Sequence, residues 1–232
     1  MSAIMDLLGS RESSASADTG SATHAMINAF NNGKEIAEAI EFVRAANMFP
    51  ATDYDEAKKL FEAYAKDTRN DPKSVVFSEV AVSFTLPAAK IDTTGKDIYI
   101  TGTCDQIRTD GHSLSVWDYK TGKAHHGWDM LNVHALQLAA YTTGFSKTPG
   151  LKLPVVPGGI IRGQDYFKKN ITDRVVFWHA NFEFNDCKKL LDIIRYRVAE
   201  IRNKVVGFTP GSHCKYCPAK GLSNCMAIWK NI

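Results

Sequence analysis

The stretch Ser115-Val116-Trp117-Asp118-Tyr119-Lys120-Thr121-Gly122 decides how this chain is read. It is rich in strand formers and stops at a Thr-Gly turn. Positions two apart in a strand face the same way, so Asp118 and Lys120 share a face while Tyr119 points back toward whatever packs behind. Upstream, Asp97 to Arg108 reads as a partner strand, and Asp110-Gly111 between them reads as a hairpin turn. With those two residues as the turn, Thr109 faces His112 and Asp105 falls opposite Val116. Asp105 then joins the face of Asp118 and Lys120, diagonal to Asp118 at roughly 7–8 Å between backbones. Two carboxylates and an amine on one hairpin face can hold a divalent metal and an activated water. The bland reading of Asp-x-Lys is a solvated face with a weak ion pair; the registered second aspartate makes an accident harder to accept.

Composition sets the outer bounds. The 232 residues suffice for one substantial domain, and 44% hydrophobic with 23% charged residues is ordinary for a globular protein. A formal charge of +3 permits a polyanionic partner only through a local patch. No apolar run approaches a membrane span, and the N-terminus has no basic-then-apolar leader pattern. Five cysteines, three crowded near the C-terminus, do not resemble a secreted disulfide framework. The expectation is a cytoplasmic, or more broadly intracellular, protein with no membrane partner.

Taken in order, residues 1–21 read as an arm, with a Ser/Ala/Gly-rich loop over 10–21. Helical patterns run from Ala22 to Phe30, through Ile36, Ile40 and Val43, and from Asp53 to Lys66. The period then changes to a strand over Ser74–Phe84, with Glu79 among apolar neighbours, followed by the hairpin. A helix is expected over Leu131–Phe145, strands over Val155–Arg162 and Arg174–Trp178, and a long helix over about Asn185–Val205. The fold class is α/β: a mixed central sheet flanked by helices, with a helical N-terminal part and a small Cys-containing C-terminal knot. The expected division is arm 1–21, domain 22–206 and segment 207–232.

Five stretches, in order, resemble the pattern of the PD-(D/E)xK nuclease superfamily, in its RecB-like branch with phage exonucleases and CRISPR-adaptation nucleases. Gly20-Ser21-Ala22-Thr23-His24 is similar to the first-helix histidine motif, and Glu79 stands where an acidic residue occurs on the first strand. Gly102-Thr103-Cys104-Asp105 is similar to Gly-x-x-Asp, and Asp118-Tyr119-Lys120-Thr121-Gly122 to the core signature. Gln137-Leu138-Ala139-Ala140-Tyr141 is similar to the Gln-x-x-x-Tyr helix. The resemblance implies a restriction-endonuclease-like core and a metal-dependent DNA nuclease.

The chemistry of each residue type agrees. Hard carboxylate oxygens of Asp105 and Asp118 suit Mg²⁺ or Mn²⁺, and the resemblance adds the Tyr119 carbonyl and His24 as ligands. Lys120 would orient or deprotonate the water and offset developing negative charge. Glu79 is either a metal-side carboxylate or the polar position of an alternating strand. A lone histidine on an amphipathic helix is ordinarily structural; the motif around His24 argues otherwise. Gln137 and Tyr141 are one helical step apart and share a face, which suits a supporting or DNA-phosphate role.

Cys214, Cys217 and Cys225 resemble the C-terminal cysteines that hold an iron–sulfur cluster in related nucleases. In the family the fourth ligand usually lies upstream of the histidine motif; with no cysteine before Cys104, that ligand is missing or the chain begins late. Cys187 or His213 would have to complete a site, and His213 would favour zinc over [4Fe–4S]. A metal-free remnant stands beside both. Cys104 is expected in the core. Lys123, His125 and His126, and further on Arg162, Tyr166, Phe167, Lys168 and Lys169, combine charge with rings, which suits single strands as well as a solvated loop.

The expected function is an exonuclease acting on DNA ends or single strands, with DNA recombination or repair and a phage origin in keeping with the resemblance. The alternatives are an endonuclease of the CRISPR-adaptation type and a non-cleaving DNA-binding or assembly protein. An oligomer is left open, since some relatives form rings.

Overall fold

The computed structural model describes residues 15–122 and 129–203. Three helices lead: α1 Ala15–Asn31, α2 Ile36–Ala46 and α3 Tyr54–Lys66. A five-stranded sheet follows in the order β1-β2-β3-β4-β5, with β1 Val75–Leu86, β2 Ile98–Thr109, β3 Leu114–Lys120, β4 Val155–Arg162 and β5 Phe177–His179. Helix α4, Asp129–Ser146, lies between β3 and β4, and α5, Phe184–Arg202, closes the described chain. β3 runs antiparallel to β2 but parallel to β4, and β5 returns antiparallel. A parallel step requires a crossover, which α4 supplies. The expected mixed sheet with flanking helices is therefore present.

Contacts divide the described residues into two compact units, one of 15–84 with 100–191 and another of 85–99 with 192–203. In the second, Arg202 pairs with Asp92 at 2.8 Å, and Asn203 accepts hydrogen bonds from the Thr93 N–H at 2.9 Å and hydroxyl at 2.7 Å.

In the first unit, strand alternation sorts β3 between two cores. Trp117 and Tyr119 join Met26, Phe61, Tyr64 and Ile161 beneath α1 and α3. Val116 joins Ile107, Leu138 and Ile160 beneath α4. Fully burying each such side chain contributes about 1.5–3 kcal/mol. Asp118 and Lys120 take the parity of Val116 and are held by packing on either side.

Three expectations change. Ala15–Ser21 is helix, where a loop or mobile arm was expected. Asp18 and Thr19 explain it: the Asp18 carboxylate accepts the Ala51 N–H and the Thr19 hydroxyl accepts the Asp53 N–H, each at 3.0 Å. These bonds fix the loop ahead of α3, so tertiary contact overrides a weak local propensity. Second, the hairpin loop has four residues, not two, and Thr109 pairs with Leu114 in place of His112. Asp110 Oδ1 accepts the N–H groups of His112 and Ser113 at 2.8 and 2.7 Å, while Gly111 adopts φ +85°. Over the paired stretch Gln106–Thr109 a two-residue shift keeps the side chains on their expected faces, whereas a one-residue slip would have reversed them. Third, β5 runs over Phe177–His179 in place of the strand expected from Arg174, because Arg174 caps the 3-10 turn Ile171–Asp173 with its N–H on the Ile171 carbonyl.

Candidate metal centre

Helix α1 delivers His24. Ala22, Met26 and Ile27 bury one side of the helix, and the His24 ring meets Tyr119 edge-on at 5.5 Å. Gly20 lets the helix approach the end of β3, since a Cβ there would lie 3.0 Å from Thr121 Oγ1.

Asp105 sits where the β2 pattern breaks. Cys104 and Ile107, three apart, both face the α4 core, while Gln106 turns to Tyr64 beneath the leading helices. Regular β2–β3 pairing stops at Gln106 and Trp117. At that opening the Asp105 carboxylate takes the place of a ladder acceptor, receiving the Tyr119 N–H at 2.6 Å. Its other oxygen is 3.5 Å from His24 Nδ1. The expected diagonal pairing across a regular ladder is thus replaced by a side chain bridging α1 and β3.

Glu79 completes the cluster from β1. Its φ is +54°, a left-handed conformation rare for a residue with a side chain. The carboxylate comes within 3.9 Å of His24 Nδ1. Ligand atoms of His24, Glu79 and Asp105 all lie within 4.8 Å of one another.

Asp118, 2% exposed, pairs with Lys120 Nζ at 2.5 Å. Burial, and then the Asp105 charge, push its pKa up to about 6 against the pull of Lys120. Burial and Asp105 also raise Glu79. Burial would lower His24, but the neighbouring Asp105, Glu79 and Asp118 outweigh it and raise the imidazole. Carboxylates crowded enough to resist ionisation, with one imidazole nitrogen among them, match the donor set of a hard divalent cation.

Above these residues α4 carries Gln137, whose amide donates to the Tyr141 hydroxyl at 3.0 Å. The Tyr141 ring lies on Gly102, where a Cβ would fall 2.7 Å from Cε1. That contact gives the Gly-x-x-Asp spacing its physical reason. Sequence reading missed His134, which shares this face with Gln137 and whose pKa is lowered by burial and then by the nearby Lys120 and Arg162. The His134-x-x-Gln137 spacing was the available signal. It also missed Asp165, 1% exposed, which pairs with Lys168 at 3.0 Å and Arg162 at 3.6 Å. Arg162 stands in register beside Lys120.

Of the other expected residues, Cys104 and Cys187 are free and buried. Cys214, Cys217, Cys225 and His213 lie outside the described residues, as do Lys123, His125 and His126. Tyr166 and Phe167 belong to a 3-10 turn packed on α3, with Lys59 4.4 Å over the Phe167 ring. No helix among the described residues is long and apolar enough to cross a membrane.

A mixed sheet with Asp118 and Lys120 on its central strand and a histidine from the flanking helix defines an α/β protein with a candidate hard-cation centre. Residues 3–222 match the model of the PD-(D/E)XK nuclease superfamily, and the chain belongs to that superfamily of metal-dependent nucleases. No curated protein matches the sequence.

Proposed function

We propose that this chain hydrolyses phosphodiester bonds of DNA with Mg²⁺ or Mn²⁺, as an exonuclease working on ends or single strands. The observation that carries the reading is the convergence of His24, Glu79 and Asp105 within 4.8 Å, beside the Asp118–Lys120 pair at 2.5 Å. His24, Glu79, Asp105 and Asp118 would hold the cation, which when bound supplies charge neutralisation at phosphorus and makes water more acidic. The exonuclease preference comes from the resemblance of the His24, Asp118-Tyr119-Lys120 and Gln137/Tyr141 motifs to the RecB-like branch.

The chain's own groups divide the remaining work. Lys120, fixed by Asp118, orients the attacking water and offsets negative charge that develops on the phosphate. Tyr119 hands its N–H to Asp105 and so fixes the carboxylate. Gln137 and Tyr141 brace β2 from above through Gly102.

End-labelled linear DNA and covalently closed circular DNA, each incubated with Mg²⁺ or Mn²⁺, test the reading beside a Lys120→Ala control. Loss of linear DNA alone, abolished by the substitution, is expected. Cutting of circles would make the protein an endonuclease. Intact DNA of both kinds would leave a non-cleaving binder.

A further inference from the structure

Beside the metal cluster opens a cavity of about 560 Å³ whose lining includes Ser16, Ser21, Asn28 and Phe49, with His24 and Glu79 on its inner wall. Its size falls in the range of roughly 300–1,000 Å³ typical of pockets for organic ligands. Among the described residues the lining holds no lysine or arginine. Basic side chains lie instead at and beyond the ends of β3 and β4, where Lys120 stands in register with Arg162, and Asp165 draws Lys168 to within 3.0 Å. A phosphate is therefore attracted to one side of the cation centre, and a neutral ring fits the other. Asn28 accepts the Asn32 amide through Oδ1 at 2.8 Å, which turns its NH₂ to serve as a donor. The left-handed backbone at Glu79 carries its carboxylate to the junction of cavity and cluster.

We infer that this cavity seats the unpaired base of the nucleotide flanking the scissile phosphate, with Phe49 as stacking surface and Asn28 as a donor to the base edge. A base inside a duplex is stacked on both faces and paired along its edge, so it must leave the helix to enter. The inference rests on the nuclease reading and deepens it: the substrate is a single strand or a frayed end. Base–aromatic stacking of the usual strength makes the pocket worth about tenfold or more in binding.

The test compares two single-stranded oligonucleotides in Mn²⁺, one intact and one with a single abasic nucleotide. Digestion should pause at the abasic position with at least about tenfold slower cleavage of that bond. Phe49→Ala should slow the intact strand and remove the difference. Ser21→Trp, an exposed substitution that fills the cavity mouth, should do the same if Phe49→Ala fails to fold. Equal cleavage of both strands by the unmodified protein overturns the inference. If neither strand is cut, the nuclease reading has failed, and fluorescence of a 2-aminopurine oligonucleotide bound in Ca²⁺ decides the pocket separately. Quenching that Ser21→Trp abolishes supports the pocket; unquenched, bound oligonucleotide overturns it.

Discussion

Asp105 accepts the backbone N–H of Tyr119 at 2.6 Å, tying a metal-side carboxylate to the strand that carries Asp118 and Lys120. One residue thus combines a structural bond with the proposed ligand role, and substitution can separate the two. Asp105→Asn keeps an acceptor for the N–H, so its stability in urea should stay within about 1 kcal/mol of the parent. Asp105→Ala strands that N–H and should cost about 1–3 kcal/mol. Both variants should lose nuclease activity by at least about a hundredfold, as expected when a ligand to the catalytic ion is removed.

The pH dependence of stability follows from the crowded acids. The folded pKa of Asp118 is near 6, above the ordinary value of 3.8, so its ionisation penalises the folded state. Its contribution is neutral below pH 3.8 and becomes unfavourable as pH rises to about 6. Glu79 shifts in the same direction. His24, raised above 6.5, adds stability at low pH that fades as pH climbs through its folded value. All three signs agree. Melting in EDTA should therefore show falling stability between pH 4 and 7 from this site, by on the order of 3 kcal/mol at most for Asp118. Mn²⁺ should raise Tm more at pH 7 than at pH 5. A cation effect that shrinks as pH rises would contradict the arrangement.

Glu79 stores backbone strain at φ +54°. Glu79→Gly relieves it and should stabilise the fold or leave it unchanged, within about 1 kcal/mol, while weakening Mn²⁺ binding. Stability gained together with affinity lost, measured by denaturation and calorimetry, is the expected signature of a site that imposes strain for function.

Gly102 and Tyr141 should be energetically coupled. Gly102→Ala places a methyl group 2.7 Å from Tyr141 Cε1 and should cost about 1–3 kcal/mol. Tyr141→Ala in the same chain should recover at least about 0.5 kcal/mol of that loss, a non-additivity readable in a double-mutant cycle. Simple additivity would mean the ring does not rest on the glycine.

The sheet was legible because β3 states its own alternation: Val116 and Asp118 one way, Trp117 and Tyr119 the other. Strand β4 kept its expected limits from Val155 to Arg162 for a similar reason, a short apolar run between turn signals. The Asp110-Gly111 signal located the hairpin but not its length, because Asp110 caps two successive N–H groups and draws Ser113 into the loop. The start of α1 was hidden, since Asp18 and Thr19 act on partners 33 and 34 residues away. At the site, Asp118 and Lys120 were readable from strand parity and His24 from its motif. The position of Asp105 was not, because it depends on a break in alternation that Cys104 and Ile107 reveal only once both are seen in one core. Glu79 could be named but not assigned, as nothing in Ser78-Glu79-Val80 announces a positive φ.

Calorimetric titration of Mn²⁺ into the parent protein, Asp105→Asn and Lys120→Ala tests the centre most directly. The parent should bind, Asp105→Asn should bind at least about tenfold more weakly, and Lys120→Ala should bind as well as the parent or better, since it removes a competing positive charge. Unchanged Mn²⁺ affinity in Asp105→Asn would show that the carboxylate between α1 and β3 serves the backbone alone.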